Sequence, residues 1–135
     1  MSCALCTIVD ETYRVVELGI RVYSIIPEAP VVEGHVMVVP RRHVLQQELN
    51  GDELMEINNM VVRLKDKLVQ LYSQQHPLIV VSSDTSHASV PDHFHEHLVP
   101  SEVDLRYLMA KYYGLPAKQR GLPSDLERRA KLLRP

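Results

Sequence analysis

Three histidines alternate with other residues close to the end of an apolar run. His93, His95 and His97 are each separated by a single residue. Because alternate side chains of a β-strand point to the same side, a strand here would line up three imidazoles on one face within about 13 Å. Neutral imidazole nitrogens bind zinc and related metals, and they also attack phosphorus to give a phosphoramidate that water later cleaves. The spacing therefore predicts a functional strand, with metal chemistry and phosphoryl transfer as the two candidates.

A second cluster of reactive residues lies at the N-terminus, where Cys3 and Cys6 form a Cys-x-x-Cys pair. In an intracellular chain this spacing indicates metal binding or redox chemistry rather than a structural disulfide. A thioredoxin-like site would require a βαβ unit directly after the pair, whereas the sequence predicts hairpin strands there. Two thiolates supply half of a tetrahedral zinc site, so the remaining ligands must come from elsewhere in the chain.

The hydrophobic pattern predicts the elements that position these residues. β-Branched and aromatic residues predict strands over 12–17, 20–26, 35–39, 78–83 and 93–99. A spacing of three and four predicts one helix of about 20 residues, with an apolar face made of Leu54, Ile57, Val61, Leu64, Leu68 and Leu71. Capping-box pairs predict two short helices at about 102–113 and 124–133. We therefore expect an α+β domain with a five-stranded antiparallel sheet, one long helix and a short C-terminal helical extension.

Composition and charge limit the classes of protein that remain. With 45% hydrophobic residues, five Gly and nine Pro among 135 residues, the chain is neither disordered nor collagen-like. No apolar run approaches the roughly 18–20 residues that span a bilayer, and the first six residues do not resemble a secretory signal. Residues 1–100 carry a net charge of −6 and residues 101–135 a net charge of +4. We expect a cytoplasmic protein with a domain over 1–102, a basic extension over 103–135, and no binding of membranes or nucleic acids.

Two segments together resemble the signature of the histidine triad (HIT) family. Residues 93–100, His-Phe-His-Glu-His-Leu-Val-Pro, resemble the triad His-φ-His-φ-His-φ-φ, where φ is apolar. Residues 34–44, Gly-His-Val-Met-Val-Val-Pro-Arg-Arg-His-Val, resemble the family's Gly-His-φ-φ-φ-φ-Pro-Lys/Arg-x-His segment. The resemblance covers about residues 3–100. It implies a nucleotide hydrolase or transferase that acts at the α-phosphate, commonly as a homodimer whose two sheets join.

The resemblance also implies roles for individual residues. His95 would be the nucleophile that forms a nucleotidyl-histidine intermediate, His97 would contact the phosphate, and His35 would support catalysis from beside the nucleophile. In zinc-containing members that open with Cys-x-x-Cys, the other two ligands are the histidine of the Pro-x-x-His segment and the first histidine of the triad. The corresponding set for a structural Zn²⁺ is Cys3, Cys6, His43 and His93.

The sequence departs from the family pattern in three places, two of them single positions and one a loop. Glu96 occupies an apolar position of the triad, and the loop at 82–92 lacks the Gly and Gln that many members carry. Within that loop Ser89 remains as a hydroxyl for the phosphate, and Glu28 lies next to the position where many members place a ribose-binding Asp or Asn. The nucleotide-binding candidates are therefore Ser89, Glu28 and His97, and the natural substrate stays open.

Three hypotheses follow for the function. The first is an enzyme that cleaves a nucleotide conjugate or dinucleoside polyphosphate through a covalent intermediate on His95. The second is a non-catalytic, zinc-stabilised module that binds a nucleotide or a protein on the same scaffold. The third is a metalloprotein whose catalytic metal lies on His93, His95 and His97 directly.

Overall fold

The computed structural model describes residues 3–72, 78–83, 92–101, 105–114 and 121–135. In chain order its elements are α1 (Ala4–Thr7), β1 (Val15–Leu18), β2 (Val22–Ile25), β3 (Val36–Pro40), α2 (Gly51–Tyr72), β4 (Leu78–Ser83), β5 (His95–Pro100), α3 (Leu105–Tyr113) and α4 (Pro123–Leu133). The strands form one sheet in the order β1-β2-β3-β5-β4, and every neighbouring pair is antiparallel. The predicted α+β class with a five-stranded antiparallel sheet is confirmed.

Four of the five strands begin one to three residues later than the sequence predicts, and local contacts explain the late starts of β1 and β5. Residues 12–14 form a 3-10 turn ahead of β1, in which the Arg14 amide donates to the Glu11 carbonyl over 3.0 Å. Strand β5 begins at His95 rather than His93, because the chain turns at Asp92, whose φ of 66° lies in the left-handed region that aspartate tolerates. Between Asp92 and the first residue of β5, the Phe94 amide donates to the Val44 carbonyl over 2.8 Å, and this hydrogen bond is not part of the pairing between strands.

Helix α2 packs on one face of the sheet with an apolar face that matches the predicted one at Ile57, Val61, Leu64 and Leu68 and differs from it at both ends. The side chains that it buries are Glu53, Ile57, Met60, Leu64 and Leu68. Leu54 and Leu71, both predicted to be buried, are 49% and 60% exposed. Successive helical residues are about 100° apart, so the inward turn of Glu53 carries Leu54 towards solvent. The sequence pattern predicted that Leu54, and not Glu53, would face the sheet, because a carboxylate is rarely buried without a partner.

The sheet has a core on each face. Val36, Val38, Phe94 and Leu98 pack with α2 in one cluster. On the opposite face Leu5 of α1 packs with a second cluster, formed by Tyr23, Ile25, Met37 and Val39. Because side chains alternate along a strand, the triad histidines that flank Phe94 and precede Leu98 lie on the face of the second cluster.

The chain divides into two compact units, Met1–Glu102 and Val103–Pro135. The first unit holds the sheet, α1 and α2, and the second holds α3 and α4. In the second unit, Asp125 pairs with Arg128 at 2.8 Å and with Arg129 at 2.9 Å along α4. Among the residues that the structure describes, no helix is both long and apolar enough to cross a membrane.

Candidate active site and adjoining metal centre

His95 is buried and has its tautomer fixed by the backbone. Only 3% of the residue is exposed, and its Nδ1 lies 2.9 Å from the carbonyl oxygen of His93. A carbonyl oxygen only accepts, so Nδ1 must carry a proton and donate it. The lone pair of a neutral His95 therefore lies on Nε2, so Nε2 is the nitrogen that can act as a nucleophile.

His35 and His97 form a hydrogen-bonded pair whose direction can be derived. The backbone amide of Val31 donates to His35 Nδ1 over 3.1 Å, so a neutral His35 carries its proton on Nε2. That Nε2 lies 2.9 Å from Nδ1 of His97, which must accept the hydrogen bond. A neutral His97 consequently presents an Nε2 proton as a donor.

The electrostatic environment keeps this pair uncharged. Burial lowers the pKa of His35. The pKa of His97 falls to about 4, chiefly through burial, with further contributions from the nearby His95 and His35. Both groups are therefore neutral near pH 7, and the chain of donors from Val31 through His35 to His97 persists at that pH.

The ring of His97 lies next to those of both His95 and His35. The His95 and His97 ring centroids are 5.0 Å apart, and those of His97 and His35 are 5.1 Å apart. His35, which the resemblance placed beside the nucleophile, makes its hydrogen bond to His97.

Four side chains with metal-ligating atoms lie together where α1 meets the start of the triad segment. One ligand atom from each of Cys3, Cys6, His43 and His93 lies within 4.8 Å of all the others. Nδ1 of His93 is 3.4 Å from Cys3 Sγ and 3.5 Å from Cys6 Sγ, and Nδ1 of His43 is 3.4 Å from Cys6 Sγ. In tetrahedral zinc sites, the known Zn–S and Zn–N bond lengths separate sulfur and nitrogen by about 3.6 Å. The residues present fit a closed Cys₂His₂ site.

A backbone carbonyl orients the buried histidine of this cluster. His93 is fully buried, and its Nε2 lies 2.8 Å from the carbonyl oxygen of Pro40. The carbonyl holds the proton on Nε2 and leaves the Nδ1 lone pair directed at the two thiols, as is usual behind a metal-bound histidine. This arrangement does not favour a metal shared by His93, His95 and His97, because both ring nitrogens of His93 already have other partners.

The cysteines are brought to the sheet by α1. The side chain of Leu5 is buried in the second core cluster, and the Tyr23 hydroxyl donates a hydrogen bond to the Leu5 carbonyl. Burial and the neighbouring Cys3 thiol raise the pKa of Cys6. Two adjacent thiolates repel each other, so a bound cation would favour the ionised form that metal ligation requires.

The remaining candidates are placed differently. Glu28 is exposed in the segment after β2. Ser89, together with His76 and His87, lies outside the described residues. Glu96 is half-buried on the face covered by α2, opposite the histidines, and accepts a hydrogen bond from the Ser82 hydroxyl over 3.3 Å.

Sequence reasoning missed the groups that set the proton positions. These are the Val31 amide and the carbonyls of Pro40 and His93, and the structure shows each bonded to a histidine. Backbone groups are present at every residue, so no sequence signal distinguishes these three. Tyr23, which holds α1, was assigned only to a strand.

Comparison with known proteins gives matches at the level of family and fold. The family described as "Protein similar to CwfJ C-terminal" matches residues 1–113. An uncharacterised HIT-like protein of Mycoplasma pneumoniae is 23% identical over 104 residues, which are 73% of this chain and 71% of that protein. The adenosine 5′-monophosphoramidase of Candida albicans is 24% identical over 109 residues, 75% of this chain and 71% of that enzyme.

Solved structures with the same fold cover nearly the whole chain. A member of the HIT family from Bacillus subtilis superposes with a TM-score of 0.69 at 18% identity, covering 98% of this chain and 95% of the other. The histidine triad nucleotide-binding protein of Candida albicans superposes with a TM-score of 0.67 at 23% identity, covering 97% and 94%. With the family match over 113 of 135 residues and both histidine segments in place, the chain belongs to the family of proteins similar to the CwfJ C-terminal and is a histidine triad (HIT) protein.

Proposed function

We propose that this protein is a HIT hydrolase or nucleotidyl transferase that cleaves at the α-phosphate of a nucleotide conjugate, with His95 as the nucleophile. The observation that carries the proposal is the hydrogen bond of 2.9 Å from His95 Nδ1 to the His93 carbonyl. It commits the ring proton to Nδ1 and leaves the Nε2 lone pair available to attack phosphorus. The same bond stabilises the positive charge that develops on the ring during attack.

The reaction then proceeds in two steps. Nε2 of His95 bonds to the α-phosphorus, and the bond from phosphorus to the leaving group breaks. Water next attacks the same phosphorus, the nitrogen–phosphorus bond breaks, and the nucleoside monophosphate is released. His97 supports both steps, because its Nε2 proton is available to a phosphate oxygen and its low pKa keeps Nδ1 free to accept from His35.

The substrate class we propose is a nucleoside phosphoramidate or a dinucleoside polyphosphate. The similarity to an adenosine 5′-monophosphoramidase supports the first of these. Glu28 is the candidate for the ribose hydroxyls, Ser89 for a phosphate oxygen, and His97 for the phosphate at which the bond breaks.

We propose that Cys3, Cys6, His43 and His93 hold a structural Zn²⁺. The sulfur–nitrogen distances of 3.4–3.5 Å support this, as does the carbonyl of Pro40 behind His93. A site with four protein ligands has no open position, so the ion would tie α1 to the triad segment without entering the reaction. Thiolate ligands also favour the reducing cytoplasm as the location.

A homodimer is the assembly that we propose. Strand β4 forms one edge of the sheet, and its residues Val80 and Val81 are 40% and 48% exposed. An exposed apolar edge strand is a surface on which a second copy can continue the sheet.

The decisive experiment compares the wild-type protein with His95→Asn on a fluorogenic nucleoside phosphoramidate. Removing the nucleophile should lower the hydrolysis rate at least about a thousand-fold, because the amide of asparagine has no nucleophilic nitrogen with which to form the intermediate. Glu17→Gln is the matched control, since it alters only the exposed ion pair of Glu17 and Arg63. Rapid quenching of the wild type should reveal a mass increase of one nucleoside monophosphate on the peptide that contains His95.

Two outcomes contradict the proposal. Hydrolysis at the wild-type rate by His95→Asn would exclude the covalent step on this residue. Nucleotide binding by the wild type, with neither product nor adduct across a panel of conjugates, would favour the second hypothesis of a non-catalytic module.

A further inference from the structure

The turn that carries His43 is fixed at three points. Before it, the carbonyl of Pro40 accepts a hydrogen bond from His93 over 2.8 Å. After it, the carbonyl of Val44 accepts from the Phe94 amide over 2.8 Å. The third point is the side chain of Arg42, the residue immediately before His43.

Arg42 is held by a carboxylate in the first turn of α2. Its Nε lies 3.0 Å from Oε2 of Glu53 and its Nη2 lies 2.7 Å from Oε1, a two-point contact that fixes the plane of the guanidinium. Nη2 also donates to the carbonyl of Glu48 over 3.2 Å. The Arg42 side chain thereby connects the start of the loop to its last residues and to α2.

Glu53 is buried, and both of its carboxylate oxygens already accept hydrogen bonds. Only 1% of the residue is exposed, and Oε1 also accepts a hydrogen bond from the Asn50 amide over 3.0 Å. The Glu53 amide in turn donates to Asn50 Oδ1 over 2.8 Å, which completes the helix cap. The hydrogen bond from Arg42 is the main cause that lowers the pKa of Glu53, so the carboxylate stays ionised.

Burial of its carboxylate distinguishes this pair from the other ion pairs in the described part of the sheet domain. Arg63 and Glu17 also join α2 to the sheet, at 2.6 Å, but both side chains are well exposed. Exposed pairs of that kind contribute little to stability. A buried carboxylate that fixes a neighbour of a metal ligand has the position of the outer-shell groups that orient ligands in metal sites.

We propose that Glu53 is a positioning residue of the metal centre, acting through Arg42 to hold His43 against Cys6. The inference rests on the proposed zinc site. His43 is exposed, and 3.4 Å separates its Nδ1 from Cys6 Sγ. Because the imidazole is exposed, the backbone on either side helps to fix its direction.

The test is zinc affinity, measured by competition with a chromophoric chelator for the wild type, Glu53→Gln and Arg42→Gln. Each variant should bind zinc at least about ten-fold more weakly, as is typical when an outer-shell partner is removed. Arg42→Lys should also weaken binding, because an ammonium cannot make the two-point contact. Glu17→Gln, which removes the same charge from an exposed pair, should bind as the wild type does.

Two further measurements separate positioning from a general loss of stability. The rise in unfolding temperature caused by zinc should be smaller in Glu53→Gln than in the wild type. The visible spectrum of the Co²⁺-substituted variants should also differ from that of the wild type, since it reports ligand geometry. Arg42→Gln and Arg42→Lys carry the test if Glu53→Gln does not fold, because the Arg42 side chain is 54% exposed.

The outcomes distinguish this inference from the zinc site on which it rests. Unchanged zinc affinity in the variants, with lower stability both with and without the metal, would overturn the positioning role alone. Absence of stoichiometric zinc binding by the wild type would overturn both. Hydrolysis by His95 is measured separately and decides neither.

Discussion

Histidines of identical covalent structure take different roles here because different backbone groups face their ring nitrogens. The His93 carbonyl sets the proton of His95 on Nδ1, whereas the Val31 amide sets that of His35 on Nε2. His97 then inherits its tautomer from His35. The site therefore combines one imidazole with a free Nε2 lone pair and another with an Nε2 proton, which are the two functions that phosphoryl transfer to histidine requires.

The lowered pKa values of this pair predict a loss of stability in mild acid. An unfolded histidine takes up a proton near pH 6.5, whereas folded His97 does so only at about 4. The unfolded chain thus binds more protons in this window, and the free energy of unfolding should fall as pH decreases from about 7 to about 4, by at most about 1.4 kcal/mol per pH unit for each such histidine. Urea denaturation at pH 7, 6 and 5, in chelator to exclude metal release, measures the slope.

His97→Asn is the diagnostic variant for this pH dependence. This substitution removes the imidazole whose pKa falls to about 4 in the folded protein. The decline in stability between pH 7 and 5 should therefore be shallower than in the wild type. A slope equal to that of the wild type would assign the acid sensitivity to other groups.

At the residue scale, the sequence predicted which side chains assemble but not how each is oriented. Alternation along one strand brought the triad to one face, and the family resemblance supplied Cys3, Cys6, His43 and His93 as a set. The pairing of Asn50 with Glu53 at the start of the helix was predicted, but the burial of Glu53 was not, because its neighbour Leu54 fits an apolar periodicity better. The contacts with Arg42, 11 residues earlier in the chain, and with the Asn50 amide explain why a carboxylate is buried there.

At the scale of elements, the segment that leads into β3 depends on a glycine. Gly34 has a φ of 91°, and a Cβ built there would lie 2.9 Å from Pro100 Cγ and 2.9 Å from a ring carbon of Tyr72. The chain therefore passes close to the ends of β5 and α2 just before His35. This explains in physical terms why a Gly-His pair begins the segment.

Gly34→Ala should accordingly destabilise the protein by about 2 kcal/mol or more. The left-handed conformation costs about 1–2 kcal/mol for a residue with a Cβ, and the contacts with Pro100 and Tyr72 add to it. Gly51→Ala is the matched control, because Gly51 begins α2 and a Cβ there would meet nothing within 4 Å. Chemical denaturation should show no loss for the control, and an equally small effect at Gly34 would contradict the close approach.

Element types were easier to predict than element limits. The long helix follows from a sustained period of three and four, and the strands follow from β-branched runs, so all five strands and α2 were anticipated. The ends were not, since they depend on particular contacts. Strand β5 starts late because of the left-handed Asp92 and the bond between Phe94 and Val44, and neither is encoded in hydrophobicity.

For the whole molecule, charge and function divide at the same place. The unit Met1–Glu102 contains every residue of the proposed catalytic and metal sites that the structure describes, whereas Val103–Pro135 carries the basic excess. Among the described residues, both core clusters are built from the first unit alone. Helix α4 buries no residue, and its Leu132 and Leu133 are 73% and 87% exposed.

A chain that ends at Glu102 should therefore fold and bind zinc like the full chain. No side chain of either core cluster is removed, so the free energy of unfolding should change by no more than about 0.5 kcal/mol, as for substitutions away from a core. Denaturant titration and zinc content of the truncated and full-length proteins provide the measurement. A truncated protein that fails to fold would show that the basic extension contributes to the core of the first unit. Equal stability with lower hydrolysis would instead show that the basic extension contributes to activity.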